Sequence, residues 1–554
     1  MKYLEQPQGE AYTADSIFCG GDIITVNEAL PAVEALAIKN GKIMAVGTAD
    51  EVLRWKGEKT AIVDLSGKTL MPGFIEPHGH HETGAFLGSW INLRSVKSKN
   101  DVADILRKAV KNKKPGEWIA AYPYQPLTMQ KFEQIDMSML DDISSEHPIF
   151  VFMQNLHIGW VNRKALQSAG ISEQTPDPGQ GSYYERDING KLTGRMVEVP
   201  AMLPVFGSIL FANGQGLTAE MIKNHLSEFP SLGYTTVYNA GGFELPGAAK
   251  LFEEVARKEK IVRFLTATLG KQYEKGEVNP DNLPAGDDFF RYQGFKFWYD
   301  GAPYSGSAFL YDPVLENEVT QGVLSLKKNN RGVCNYEKKD IEATLQKLHD
   351  AGQQIVFHAM GDRGQHEIVE IYQNILSKSP RYDHRHRMEH GTMLFKEDAE
   401  AAVKLGLTPS YIVQHLRHLG EVLRDYIYGA ERTNKMMGVK TGIRAGLIHS
   451  FHQDTPIYMD TPFMVMHCAV TRKTVNGAEI GADEAVTIDE AIKGCTINAA
   501  YQMFMDKKIG SLEVGKYADM VIVSANPKKI APDDLEKIEI MQTYVDGKLV
   551  YSKR

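Results

Sequence analysis

The chain has 554 residues, 43% of them apolar and 24% charged, with a net charge of -8 and a pI near 6.1. That length excludes one compact domain, the composition is that of a globular protein with a large core, and the acidic balance without a basic block excludes electrostatic recruitment to nucleic acid or to an anionic membrane. Four scattered cysteines (Cys19, Cys334, Cys468, Cys495) with no CxxC pair exclude a disulfide framework and a cysteine zinc site.

A reducing, cytoplasmic setting and a small-molecule partner fit these limits. The opening stretch MKYLEQPQGEAYTADSIFCGG has one early lysine but no apolar core of signal-peptide length. No uninterrupted apolar run of ~18 residues follows, so neither export nor a membrane span is expected.

Up to residue 70 the chain reads as short strands and turns: SIFCGGDIITVN, ALAIKNGKIMAVG and TAIVDLSGKTLMPG. Asn40-Gly41 predicts a tight hairpin, because these residues tolerate the positive φ that a two-residue turn demands. The C-terminus has the same texture in GSLEVGKYADMVIVSA and IMQTYVDGKLVYSK, with a second turn at Asp546-Gly547. Residues 1–70 and 505–554 together predict a small β-sandwich domain built from both chain ends.

Between them, 71–504 alternates β-rich segments with helical ones. The β-rich segments are 73–80, 234–240, 262–268, 294–301, 353–362, 385–391, 407–414 and 447–454, separated by stretches such as KKDIEATLQKLHDAG. That count predicts an α/β fold, a (β/α)8 barrel of the TIM type. The gap from about 85 to 230 is too long for one crossover, so it reads as an insertion after barrel strand one that covers the active face.

The first barrel strand ends in the stretch LMPGFIEPHGHHETGAF. Side chains alternate across a strand, so His78 and His80 point to one side and His81 to the other. A lone HxH is either half of a metal site or a pair of hydrogen-bonded structural histidines. Later strands also finish in ligand-type residues: His358 on strand five, His390 on strand six and Asp454 on strand eight. Imidazole and carboxylate without thiolate suit zinc or another divalent first-row metal.

Lys296, on strand four in GFKFWYDG, has two readings. It is either a buried lysine paired with a carboxylate such as Asp300, or a desolvated neutral amine that takes up carbon dioxide to form a carbamate bridging two metals.

The order HxH, Lys, His, His, Asp on strands one, four, five, six and eight resembles the amidohydrolase superfamily, and most of all its YtcJ-like branch, amidohydrolase family 3. The similarity spans nearly the whole chain, through LMPGFIEPHGH, HIGWVNRKAL, PDPGQGSYYERDINGKLTGRMVE, KFWYDG, VFHAMGDRG, RHRMEHG, HQDTP with AVTRKT, and TINAAYQMF through IGSLEVGKYADMVIV. It implies that His78, His80 and Asp454 hold a first metal, that Lys296 bridges, and that His358 and His390 hold a second. One ion or two remains open. A homodimer is also implied. His157, in the insertion, is implied to line the substrate pocket, and His415 after strand seven is a second candidate; each is otherwise a histidine making one backbone hydrogen bond. Two departures stand out: Glu76 where the family often has Asp, and HSFHQD in place of a small-residue lead-in to Asp454. The second puts His452 on the face of Asp454, either to tune it or contact substrate, or as an inert core residue. Trp90, Tyr122, Tyr124, Trp160, Trp298 and Tyr299 are candidates for an apolar wall around a substituent, although most aromatics are simply core.

The activity implied is hydrolysis of a C–N bond in a non-peptide amide, with deformylation of N-substituted formamides as the best single match. Water activated by metal attacks the carbonyl, and Asp454 is placed as general base and then general acid. One rival is a single-metal ring deaminase; such barrels carry a glutamate shortly after the strand-five histidine, where this chain has Asp362. The other is a regulatory metal-binding protein without catalysis, which would not require all six ligand candidates.

Overall fold

The computed structural model describes residues 13–179, 182–212, 216–242, 247–284 and 286–553. Its centre is an eight-stranded parallel sheet: β1 (Phe74–Gly79), β2 (Tyr234–Asn239), β3 (Arg263–Leu269), β4 (Phe290–Trp298), β5 (Ile355–His358), β6 (Arg387–His390), β7 (Thr408–Tyr411) and β8 (Ser450–Phe451). Each strand pairs with the next in chain order. The ring is nearly closed by a parallel bridge between Gly79 and Thr455, just beyond β8. This is the arrangement of a (β/α)8 barrel. All residues of β1, β5, β6 and β7 are buried, as expected for strands covered on both faces. One end of the barrel interior is filled by apolar packing of Ile75, Leu265 and Val356 against Ala499, Met503 and Ile509.

The insertion after β1 forms its own six-stranded sheet, from Ile91–Asn92 through Leu192–Val197, with Tyr183–Arg186 at one edge. Apolar side chains cover both of its faces, Phe150, Phe152 and Met202 in one cluster and Leu106, Ile119 and Val151 in another.

The chain ends pair into one mixed sheet. Thr69–Pro72 lies between Ser16–Ile24 and Met520–Val523, so N-terminal and C-terminal strands are neighbours. Both turns expected there occur: Asn40 and Gly41 have φ of 49° and 76°, Asp546 and Gly547 φ of 53° and 71°, the positive values that short hairpins favour. The turns abut, since a Cβ on Gly547 would come within 3.1 Å of the Gly41 Cα. We propose this sheet as the composite domain of residues 1–70 and 505–554, with the sandwich form kept within that proposal, beside a barrel of 71–504 carrying the insertion of about 85–230. Among the described residues no helix is long and apolar enough to cross a membrane.

Candidate metal centre and substrate cavity

β1 delivers His78 and His80 to one side, and the chain then turns at once into a helix, His81–Leu87. His81 leaves the site: its Nδ1 lies 3.1 Å from His225 Nε2, and its ring packs on Phe229. Asp454 follows β8, and its Oδ1 is 3.0 Å from His80 Nε2 and 3.4 Å from His78 Nε2. The ligand atoms of these three residues lie within 4.8 Å of one another. Asp454 and His390 both have positive φ, 56° and 75°, a conformation that costs a non-glycine residue ~1–3 kcal/mol and persists where the surroundings impose it, often at functional sites.

His358 and His390 stand beside this group. Their ring centroids are 4.4 Å apart, and His390 is 4.8 Å from His78. Burial keeps His358 and His390 well below the usual histidine range, so each is neutral. Burial opposes the charge of Asp454, but the neighbouring His78 and His80 hold its carboxyl well below the usual carboxylate range. His358 Nε2, His390 Nε2 and Asp454 Oδ1 are buried without hydrogen-bonded partners among the described residues. Such orphaned atoms cost ~1–3 kcal/mol each, and a divalent cation is the partner that neutral imidazoles and a carboxylate share. The donor set therefore fits the metal the sequence predicts.

Neighbours fix which nitrogen each histidine offers. His78 Nδ1 bonds Glu389, whose carboxylate also takes Arg387 at 2.8 Å, all three side chains fully buried; Nε2 is left for the site. His80 Nδ1 donates to the Gly241 carbonyl at 2.5 Å, again freeing Nε2. For His390 the constraint starts further away. Gln502 Nε2 donates to Pro409 O (2.8 Å), so its Oε1 faces Ser450 and accepts the hydrogen bond of that hydroxyl (2.6 Å). Ser410, 2.8 Å from Ser450, then accepts from His452 Nδ1 at 2.7 Å. His452 Nε2 is thereby an acceptor for His390 Nδ1–H at 3.0 Å, and the His390 Nε2 lone pair stays free. His452 thus acts on His390 and not on the aspartate or the cavity.

Lys296 is buried with Nζ 3.2 Å from His78 Nε2. Burial lowers it to about 8 against the opposing effect of Glu389 and Asp454, which are the carboxylates it feels. The pairing with Asp300 is not made. Asp300 instead accepts the backbone N–H groups of Phe309, Met360 and Gly361 at 2.8–2.9 Å, tying the loop after β4 to the loop after β5, and burial pushes its carboxyl up to about 7. It also lies 3.6 Å from His358 Nε2. Glu76, raised by burial, accepts from the backbone of His78 (3.1 Å) and Gln453 (3.1 Å) and so joins β1 to the segment that carries Asp454.

These groups open into a cavity of about 330 Å³ lined by His80, His358 and Asp454, and also by His157, His415 and Trp298. The three residues expected to meet substrate thus share one space with the ligand candidates. Burial pushes His415 down to about 3, so it is a neutral ring there. The expected aromatic wall is corrected: of its six members only Trp298 lines the cavity, joined by Tyr304. Trp90 packs on Phe86 and Phe150 in the insertion, Tyr124 on Trp160, Tyr122 bonds the Pro456 carbonyl at 3.1 Å, and Tyr299 bonds Glu367.

Residues that sequence reasoning missed are Glu389, Arg387 and Glu198. The first two carried a signal: charges at alternate positions of the short buried strand RMEH share one face and need partners there. Glu198 carried none, because its partner His157 lies 41 residues away on a different strand end.

A family model described as "Amidohydrolase family" matches residues 61–551. The chain is 25% identical over 550 residues to the N-substituted formamide deformylase of Arthrobacter pascens, covering 97% of this chain and 98% of that protein. It is 24% identical over 560 residues to the putative amidohydrolase YtcJ of Bacillus subtilis (strain 168), covering 97% and 99%. Among solved structures, an uncharacterized metal-dependent hydrolase from Pyrococcus horikoshii OT3 superposes with a TM-score of 0.71 at 20% identity, covering 93% of this chain and 99% of that one.

Proposed function

The chain belongs to the amidohydrolase family, and on that footing we propose that it is a metal-dependent hydrolase of small non-peptide amides, with N-substituted formamides as its first substrate class. The observation that carries the reading is the meeting of His78, His80 and Asp454, the last two at the wall of a cavity large enough for a small amide. The formamide choice rests on similarity to the Arthrobacter enzyme along nearly the full length of both chains.

His78, His80 and Asp454 would hold a divalent ion, zinc on the chemistry of the donors, with His358 and His390 as the pair for a second ion. Such an ion, when bound, lowers the pKa of water toward ~7 and polarises a carbonyl. Asp454 accepts the proton of the attacking water. Trp298, stacked over His80 with centroids 6.3 Å apart, gives the substrate a flat apolar face. Lys296 as a carbamate would join the two ligand groups, which its burial beside His78 supports. We place the enzyme in the cytoplasm and read it as a homodimer.

The ring-deaminase alternative loses its acid: Asp362 starts the helix Asp362–Lys378, bonds the Tyr311 backbone at 3.1 Å and does not line the cavity. A noncatalytic metal-binding role would leave the open cavity beside the ligands unexplained.

The test is metal content per chain, on protein purified without chelator, paired with a screen of formamides, acetamides and cyclic imides. About two ions with formamide turnover is the expected result. One ion with ammonia release from a ring would favour the deaminase, and bound metal with no turnover the regulatory role. Reconstituting the apoprotein in buffer stripped of carbon dioxide should slow recovery of activity; indifference to carbon dioxide would remove the carbamate.

A further inference from the structure

One of the histidines that line the cavity, His157, belongs to a titratable pair contributed by the insertion. His157 Nδ1 lies 2.8 Å from Glu198 Oε2, and the two side chains are about a third open, at 35% and 34%. Their backbones are fixed together: Asn155 Oδ1 accepts the His157 N–H at 2.9 Å, and the Glu198 N–H donates to the His157 carbonyl at 2.7 Å. Glu198 has a φ of 67°, a conformation that a non-glycine residue keeps only where its surroundings hold it. With the Nδ1 proton committed to the carboxylate, the working atom of the ring is Nε2, which has no hydrogen-bond partner among the described residues. A carboxylate behind an imidazole whose other nitrogen is open to a substrate cavity is the geometry of an oriented proton donor or acceptor.

We infer that His157, oriented by Glu198, supplies the proton that the departing nitrogen takes. This rests on the hydrolase reading above and divides between two residues the work that sequence reasoning gives to Asp454 alone. Asp454 takes one proton from water as the water oxygen forms its bond to the carbonyl carbon. When the C–N bond breaks, its electron pair stays on nitrogen, which takes the Nε2 proton of His157. The products are the carboxylic acid, formate for a formamide, and the amine. Neutral His157 regains a proton from solvent, and Asp454 releases its own.

Two observations support the assignment. Burial disfavours a charge on His157, but Glu198 outweighs it, so the ring stands above the ordinary histidine value and its proton-bearing form is favoured. Apart from Glu198, the ionisable groups that act on it across the cavity are Asp454, which favours its charge, and His358, which opposes it. His415, the other cavity histidine, is kept neutral by burial and cannot take the part.

The test varies the leaving nitrogen. An alkylamine must be protonated as it departs, whereas 4-nitroaniline departs with little help. His157→Gln should lower kcat on N-butylformamide by ~100-fold or more and on N-(4-nitrophenyl)formamide by ~3-fold or less, since a general acid matters in proportion to the need for its proton. The variant's activity on the anilide also reports that it is folded. Equal losses on both substrates would overturn the inference and leave His157 a binding residue. Glu198→Gln should move the high-pH fall of kcat on N-butylformamide to lower pH, because the donor form of His157 loses its partner charge; an unmoved limb would overturn the dyad. A wild-type protein that hydrolyses neither formamide would bring down the hydrolase reading and this inference with it, whereas an active wild type with equal losses brings down the inference alone.

Discussion

Asp454 carries three demands at once: it sits in a left-handed backbone conformation, it lies within 3.4 Å of two imidazoles, and its Oδ1 lacks a hydrogen-bonded partner. Asp454→Asn separates them. The amide keeps the size and one oxygen of the carboxylate but cannot take a proton. The variant is expected to fold and retain most of its metal on the histidines while kcat falls by ~100-fold or more, the usual worth of a general base. Elemental analysis beside turnover on the best formamide checks this; near-normal turnover would remove Asp454 as the proton acceptor. His78 and His80 were readable in the sequence because a strand alternates and HxH therefore shares a side, and Asp454 because it ends the eighth segment. Glu389 was not read, since its partner His78 is 311 residues away and only the closed ring brings β6 opposite β1. His452 was read as a candidate, but its partner was not, since its bond to His390 spans 62 residues. Long-range partners are set by barrel geometry, which spacing along the chain does not encode.

The strands themselves were readable with small shifts. Each expected segment contains or overlaps a barrel strand, and the main errors were lengths: 353–362 shrinks to Ile355–His358 because Ala359 onward forms the loop held by Asp300, and 447–454 shrinks to Ser450–Phe451. The composite terminal sheet was inferred from texture, but its attachment to the barrel was not visible. That attachment runs through Arg263 on β3, which is buried and donates to both oxygens of Asp519 at 2.6 and 3.0 Å while stacking 4.1 Å over Tyr517. Asp519 also accepts the backbone N–H of Asp546 at the second hairpin turn (2.8 Å), so one carboxylate joins the barrel, the strand Met520–Val523 and the turn. Removing one member of a buried pair leaves the other charge without compensation, at ~3–5 kcal/mol. Asp519→Ala should therefore lower stability by about that amount, read from denaturant unfolding, with the site's metal content unchanged. A loss below ~1 kcal/mol, the range of a surface pair, would mean that water reaches Arg263 and the attachment lies elsewhere.

The molecule as a whole is a ring with one weak seam. Seven neighbouring strand pairs are hydrogen-bonded in register along the ring, two of them with a local irregularity, but β8 is two residues long, and the segment after it meets β1 through the Gly79–Thr455 bridge, the bond from the His80 N–H to Thr455 O (2.5 Å) and the Gln453 N–H bound to the Glu76 carboxylate (3.1 Å). The candidate ligands straddle this seam: His78 and His80 lie on one side of it, and Asp454 on the other. An ion held by both sides would close the ring where the backbone barely does. A ligand that binds only the folded state stabilises it by RT ln(1 + [L]/Kd), ~2.7 kcal/mol at a hundredfold excess over Kd. Chelation should accordingly lower the melting temperature without unfolding the protein at room temperature, because the terminal and inserted sheets keep their own cores. The change should also be local. Hydrogen exchange of apoprotein against metal-loaded protein should show the largest gain at the C-terminal end of β1 and through the segment from β8 to Pro456, and little in the strands Ser16–Ile24 and Met520–Val523. If chelation leaves the melt unmoved, or loosens all three sheets alike, then the seam is closed by packing alone, and the ion serves chemistry without serving the fold.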